Sequence, residues 1–186
     1  IILIASTIHQ SALLMIPIVF IIQGKAFNKK TIICVVASII ALIFVGQFTN
    51  ILDNLLSDTQ YTNVVSDWQS WGDDGMNPIR ALVYSVPTIL AVVGYKYIQK
   101  ENDPVINMAV NASLISTGLS ILAVGTSGIF IGRLPVFTSM YALGVLLTWE
   151  IDNMFTPKSA KFVKLSAIVC FMVFFYYQMH FSWNMI

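Results

Sequence analysis

Six long stretches of the sequence contain no Asp, Glu, Lys or Arg: Ile1 to Gln23, Thr31 to Leu52, Ala81 to Tyr95, Pro104 to Gly132, Leu134 to Trp149 and Leu165 to Ile186. A charge-free apolar run of about 20 residues is what crosses a bilayer as a helix, because a helix satisfies its own backbone groups where water is absent. With 57% of its residues hydrophobic and 10% charged, the chain cannot cover a soluble surface, which is normally about a quarter charged. The expected fold is all-α: a polytopic integral membrane helical bundle of about six transmembrane segments, forming a single transmembrane domain over residues 1–186. Some segments are short or broken. The third and fifth span a bilayer only if Arg80 and Lys96, or Arg133 and Glu150, are drawn into the interface or the interior. The fourth is too long, and Gly125, Thr126, Ser127, Gly128 and Gly132 read as a helix ending near Val124 followed by irregular chain. The chain opens inside an apolar run without a charged leader, which reads as a piece of a longer protein.

The lysines orient these spans. Lys25, Lys29 and Lys30 follow the first, Lys96 and Lys100 the third, and Lys158, Lys161 and Lys164 the fifth, so alternate loops are basic and are expected to be cytoplasmic. The loop 53–77 falls on the other side with Asp53, Asp58, Asp67, Asp73 and Asp74, and the only cations there are Arg80 and Arg133. That face is expected to be extracytoplasmic. A net charge of +1 with no long basic run excludes nucleic acid as a partner. Cys34 and Cys170 lie in apolar stretches and read as buried structural thiols, and no motif for a metal or a cofactor is present.

Several residues on the arginine side suit carbohydrate and phosphate chemistry. Trp68 and Trp71 can stack on sugar rings while Asp67, Asp73 and Asp74 bond hydroxyls, or the aromatic rings of this loop simply anchor it at headgroup depth. Arg80 and Arg133 are each followed four residues on by an aromatic ring, Tyr84 and Phe137, which a helix would place beside the arginine stem. The planar guanidinium binds phosphate oxygens through two parallel hydrogen bonds, so two arginines facing outward suit a diphosphate at the membrane surface. The structural alternative has Arg80 reaching to headgroups or pairing with Asp73 or Asp74, and Arg133 capping carbonyls. His9, in a polar cluster with Ser6, Thr7, Gln10 and Ser11, is either a general base or an interhelical hydrogen-bonding group. His180 reads as an interface residue, Asn107 and Asn111 as helix-to-helix packing, and Glu150 and Asp152 as solvated partners of the lysines.

Three segments resemble a known family. Ile8-His9-Gln10-Ser11-Ala12, with Pro17 after it, looks like the His-x-Ser-Ala…Pro stretch of the EpsG family of exopolysaccharide polymerases, relatives of the Wzy polymerases. Gly75-Met76-Asn77-Pro78-Ile79-Arg80, followed by Tyr84 and Pro87, resembles its Gly-x-Asn-x-x-Arg…Tyr…Pro passage, and Gly132-Arg133, followed by Phe137 and Tyr141, is similar to its later Arg-x-x-x-aromatic stretch. Pro135 sits just after that second arginine, where it starts a helix or distorts one. The resemblance covers nearly the whole chain, as the C-terminal half of such an enzyme.

It implies a multi-pass glycosyltransferase of the bacterial cytoplasmic membrane. Such an enzyme moves a growing glycan from a polyprenyl diphosphate carrier to a lipid-linked repeat unit on the outer face, without a cofactor. Its partners would be that lipid-linked glycan, the bilayer and other polysaccharide assembly proteins. Arg80, Arg133, Tyr84, Asn77, Tyr141, Trp68 and Trp71 would bind substrate, and His9, Asp67, Asp73 or Asp74 would serve as the base. The alternatives are a transporter or flippase of lipid-linked glycans and a non-catalytic subunit of an export assembly.

Overall fold

A computed structural model describes residues 2–8, 12–13, 15–57, 75–128 and 130–182, and among these every regular element is helical. The helices are α1 (Ile2–Ile8), α2 (Met15–Ile22), α3 (Lys29–Ile43), α4 (Val45–Leu56), α5 (Pro78–Val93), α6 (Tyr95–Glu101), α7 (Pro104–Val124), α8 (Ile131–Met154) and α9 (Pro157–Tyr177). The last continues as a π turn over Gln178–Ser182. Among the described residues α7, α8 and α9 are long and apolar enough to cross a membrane, and there are five spans if the bent pairs α3–α4 and α5–α6 each count as one. The all-α polytopic bundle is therefore present.

Local chemistry sets where several helices begin. Asn77-Pro78, Asp103-Pro104 and Thr156-Pro157 repeat one device, in which a side-chain oxygen accepts an orphan N–H of the first turn and the proline occupies a position that needs none. Asn28 caps α3 in the same way, accepting from Thr31 N at 2.8 Å.

The middle of the bundle is α7. It packs against α3, α5 and α8, and 78% of its apolar window is buried, against 6% for α9, which leaves most of α9 to face lipid. Small residues allow these close approaches: a Cβ on Gly118 would sit 3.3 Å from Ser38 Oγ and 3.5 Å from Val35 Cα. Several polar groups on α7 are bonded across the helix interfaces, although Ser116 and Ser120 Oγ are buried without a partner among the described residues. Thr88 of α5 shares hydrogen bonds with Ser113 and Thr117.

Asn107 donates to Asn102 at 3.1 Å, while the buried Asn111 reaches a neighbouring turn: its Nδ2 donates to Ile22 O at 2.9 Å and Lys25 O at 3.0 Å. Asn111 thus fastens the α2–α3 turn to the central helix. Asn111→Leu is expected to destabilise the fold by about 2 kcal/mol, since it removes the amide that bonds both carbonyls. The shift should be read from thermal unfolding in detergent, and an unchanged midpoint would show that solvent replaces the amide.

The turns that carry lysines gather at one end. Gln99 Nε2 donates to Ala26 O at 3.3 Å, and the Phe27 and Tyr95 rings meet at 5.2 Å. Lys164 pairs with Asp152 at 2.6 Å, as expected for solvated charges.

Several expected boundaries are corrected. The second stretch is not a straight span: α3 and α4 meet at 108° about Phe44, and α4 lays Phe48, Leu52 and Leu56 onto the end of α7 while Gln47, Asn50, Asp53 and Asn54 stay exposed. Asp53, where the loop was expected to begin, is thus helical, within Val45–Leu56. The third stretch continues past Tyr95 into α6 at 71°. The fourth ends at Val124 as read, closed by Gly125.

The fifth runs from Ile131 to Met154, beyond the limits Leu134 and Trp149, because helix continues through Glu150. Glu150 follows Leu146 by one turn on the inward face and is fully buried, with no hydrogen-bond partner on either oxygen among the described residues, so it is not a solvated partner of the lysines. Cys170 is exposed on α9 rather than buried, because α9 packs so little.

Candidate functional site

The end of the bundle opposite the lysines is built on the last turn of α7. Met76 N donates to Ala123 O at 2.8 Å, which docks the segment entering α5 onto that turn. Gly75 makes the approach possible: a Cβ there would lie 2.5 Å from Val124 O. Asn77 then caps α5, accepting from Ile79 N at 2.9 Å, and Arg80 completes the first turn.

The second arginine arrives on the same surface. Gly132 N donates to Ser127 O at 2.9 Å, and a Cβ on Gly132 would meet Met76 Cε at 3.4 Å and Ala123 Cβ at 3.7 Å. Met76, Ala81, Leu122, Ala123 and Ile131 form one buried apolar cluster. The residues beside Arg80 and those beside Arg133 therefore pack on each other, and the two arginines rim a common floor.

Their surroundings differ. Arg80 is half-buried, with its Cζ 5.5 Å from the centroid of the Tyr84 ring, the arrangement expected from the four-residue spacing. Among the described residues its Nε is buried without a hydrogen-bond partner. Arg133 is exposed in a 3-10 turn, Ile131–Arg133, and Pro135 delays regular helix until Val136. The unbroken α-helix expected from Arg133 to Phe137 is accordingly absent, because Arg133 ends the 3-10 turn and α-helix begins at Val136. Among the described residues the one ion pair, Lys164–Asp152, is at the opposite end, so neither guanidinium is neutralised by a described carboxylate.

Of the other candidates, Tyr141 is exposed at the start of a π turn, Tyr141–Leu146, inside α8. Such turns commonly mark functional positions in helices. His9, Asp67, Trp68, Trp71, Asp73 and Asp74 lie outside the described residues. His180 stacks on Tyr176 with ring centroids 5.7 Å apart.

One participant escaped the sequence reading. Tyr177 of α9 accepts a hydrogen bond from Asn77 Nδ2 at 3.0 Å, and Phe174 meets Tyr84 edge-on at 6.1 Å. The available signal was the spacing of Phe174, Tyr177 and Phe181, which puts three rings on one side of α9.

A model of the EpsG family matches residues 1–184. Searches of curated proteins and of solved structures returned no match. Several apolar helices and this match make the chain a membrane protein with an exopolysaccharide polymerase-like role. The match takes in both arginine segments and the polar first stretch, and the chain belongs to the EpsG family.

Proposed function

We propose that the protein polymerises a lipid-linked glycan at the extracytoplasmic face of the bacterial cytoplasmic membrane. The observation that carries this is the common floor of Met76, Ala123 and Ile131, which sets two arginines without described carboxylate partners at one end of the bundle, away from every lysine. Fixed guanidinium groups suit a diphosphate leaving group. The bond between the anomeric carbon of the growing glycan and the diphosphate oxygen breaks, and the acceptor hydroxyl of the next repeat unit forms the new glycosidic bond.

The hydroxyl proton passes to a base, and the electron pair leaves on the polyprenyl diphosphate. Arg80 and Arg133 stabilise the charge that grows on that oxygen, which is where fixed donors lower a barrier most. Tyr84 holds Arg80 against its ring, and Asn77 fixes the helix start that aims it. His9, Asp67, Asp73 and Asp74 remain the candidates for the base, with Trp68, Trp71 and Tyr141 as sugar-facing residues. The lysine-rich turns then face the cytoplasm.

Removing the protein from cells tests this reading. Single repeat units on polyprenyl diphosphate are expected to accumulate in the outer leaflet, with long polymer absent. Retention of those units in the inner leaflet would assign the protein to transport instead, and persistence of long polymer would leave it an accessory subunit.

A further inference from the structure

Two contacts join the start of α5 to the far end of α9 around Arg80, and one contact within each helix completes the network. Asn77 Nδ2 donates to Tyr177 Oη at 3.0 Å, Arg80 Cζ lies 5.5 Å from the Tyr84 centroid, the Tyr84 and Phe174 rings meet at 6.1 Å, and Phe174 stacks on Tyr177 at 6.5 Å. Only 6% of the apolar window of α9 is buried, and Ala160, Val163 and Phe171 rest on Leu147 and Ile151 of α8. Its best-defined attachment at this end is thus to the arginine site.

The direction of the Asn77–Tyr177 bond is forced. Asn77 Oδ1 already accepts from Ile79 N at 2.9 Å to cap α5, which leaves only the amide nitrogen to face the phenol. Tyr177 is therefore the acceptor, and its own O–H proton remains to be donated. Among the described residues it meets no acceptor. One turn along α5, Arg80 Nε is likewise a buried donor without a partner. Two donors linked through the Tyr84 and Phe174 rings fit a ligand group that only accepts, and phosphate oxygens do so strongly.

We infer that Tyr177 is a binding residue of the Arg80 site, giving its phenolic proton to a diphosphate oxygen while Asn77 holds the ring in place. This rests on the diphosphate reading proposed above. It makes α9 a wall of the site and not only a lipid-facing helix. It also gives Asn77 a second duty beyond the cap, that of keeping the phenol's lone pair occupied so that its proton points to the ligand.

The test is binding of inorganic pyrophosphate to the protein in lipid nanodiscs. Tyr177→Phe is expected to weaken binding about tenfold, the usual effect of losing a hydrogen bond to a charged group, with little change in the unfolding midpoint measured in the same sample. A second variant carries 3-fluorotyrosine at position 177, which keeps the shape but makes the hydroxyl a stronger donor and a poorer acceptor. Donation to phosphate predicts tighter binding by about two- to threefold, whereas mere fastening of α9 through Asn77 predicts equal or weaker binding and would overturn the inference.

If wild-type protein binds pyrophosphate and loses it in Arg80→Lys and Arg133→Lys but not in Tyr177→Phe, the inference fails alone. If wild-type protein binds none, or the arginine variants bind as wild type does, the diphosphate reading falls and takes the inference with it.

Discussion

Arg133→Lys is expected to lower polymer synthesis about a hundredfold or more while the protein stays at its normal level in the membrane. Lysine keeps the charge but replaces a flat fork of donors with a point charge on a flexible stem, so it cannot hold two oxygens of one diphosphate in a fixed geometry. Little else should change. The Arg133 side chain is exposed, and its turn is held by the backbone bond from Gly132 to Ser127 and by the packing of Gly132 on Met76 and Ala123. The substitution therefore separates chemistry from folding, with membrane level and thermal unfolding as controls. Unchanged polymer would mean that charge alone suffices at this position, as for contact with lipid headgroups.

Gly75→Ala should be nearly as damaging by a different route. The added Cβ would fall 2.5 Å from Val124 O, a backbone atom at the end of the most buried helix, which cannot swing aside. The segment must lift instead, which weakens the Met76 bond to Ala123 O and moves the Asn77 cap and the Arg80 turn with it. A shift of about 1 Å in a positioned group is enough for a loss on the order of a hundredfold, and the strain should destabilise the protein by about 1–3 kcal/mol. Gly144→Ala is the matched control, since a Cβ there meets nothing within 4 Å. If both variants make polymer normally, the docking of Gly75 on α7 does not position the site.

What could be read along the chain depended on whether the cause was local. The end of α7 was legible because a run of Gly, Thr and Ser follows Val124, and the Arg80–Tyr84 contact because one unbroken helix carries both residues. The same spacing misled at Arg133, where Pro135 leaves a 3-10 turn in place of α-helix. Neither the 108° bend at Phe44 nor the inward turn of Glu150 could be seen, since both follow from packing: α4 folds over to cover Met76, Leu122 and Ala123, and Glu150 rides on the face that buries Leu146. Tyr177 was missed for the same reason. Its partner, Asn77, is 100 residues away, and only the packing of α9 on α5 joins them.

The most direct test of the central claim is to supply isolated membranes carrying the protein with labelled repeat units on polyprenyl diphosphate. Both the glycan ladder and the released carrier are then measured. The account predicts a ladder whose growth matches the release of polyprenyl diphosphate, one carrier for each new linkage, and the loss of both in the Arg133→Lys membranes. A ladder that forms equally well with Arg133→Lys, or growth without release of the diphosphate carrier, would contradict it.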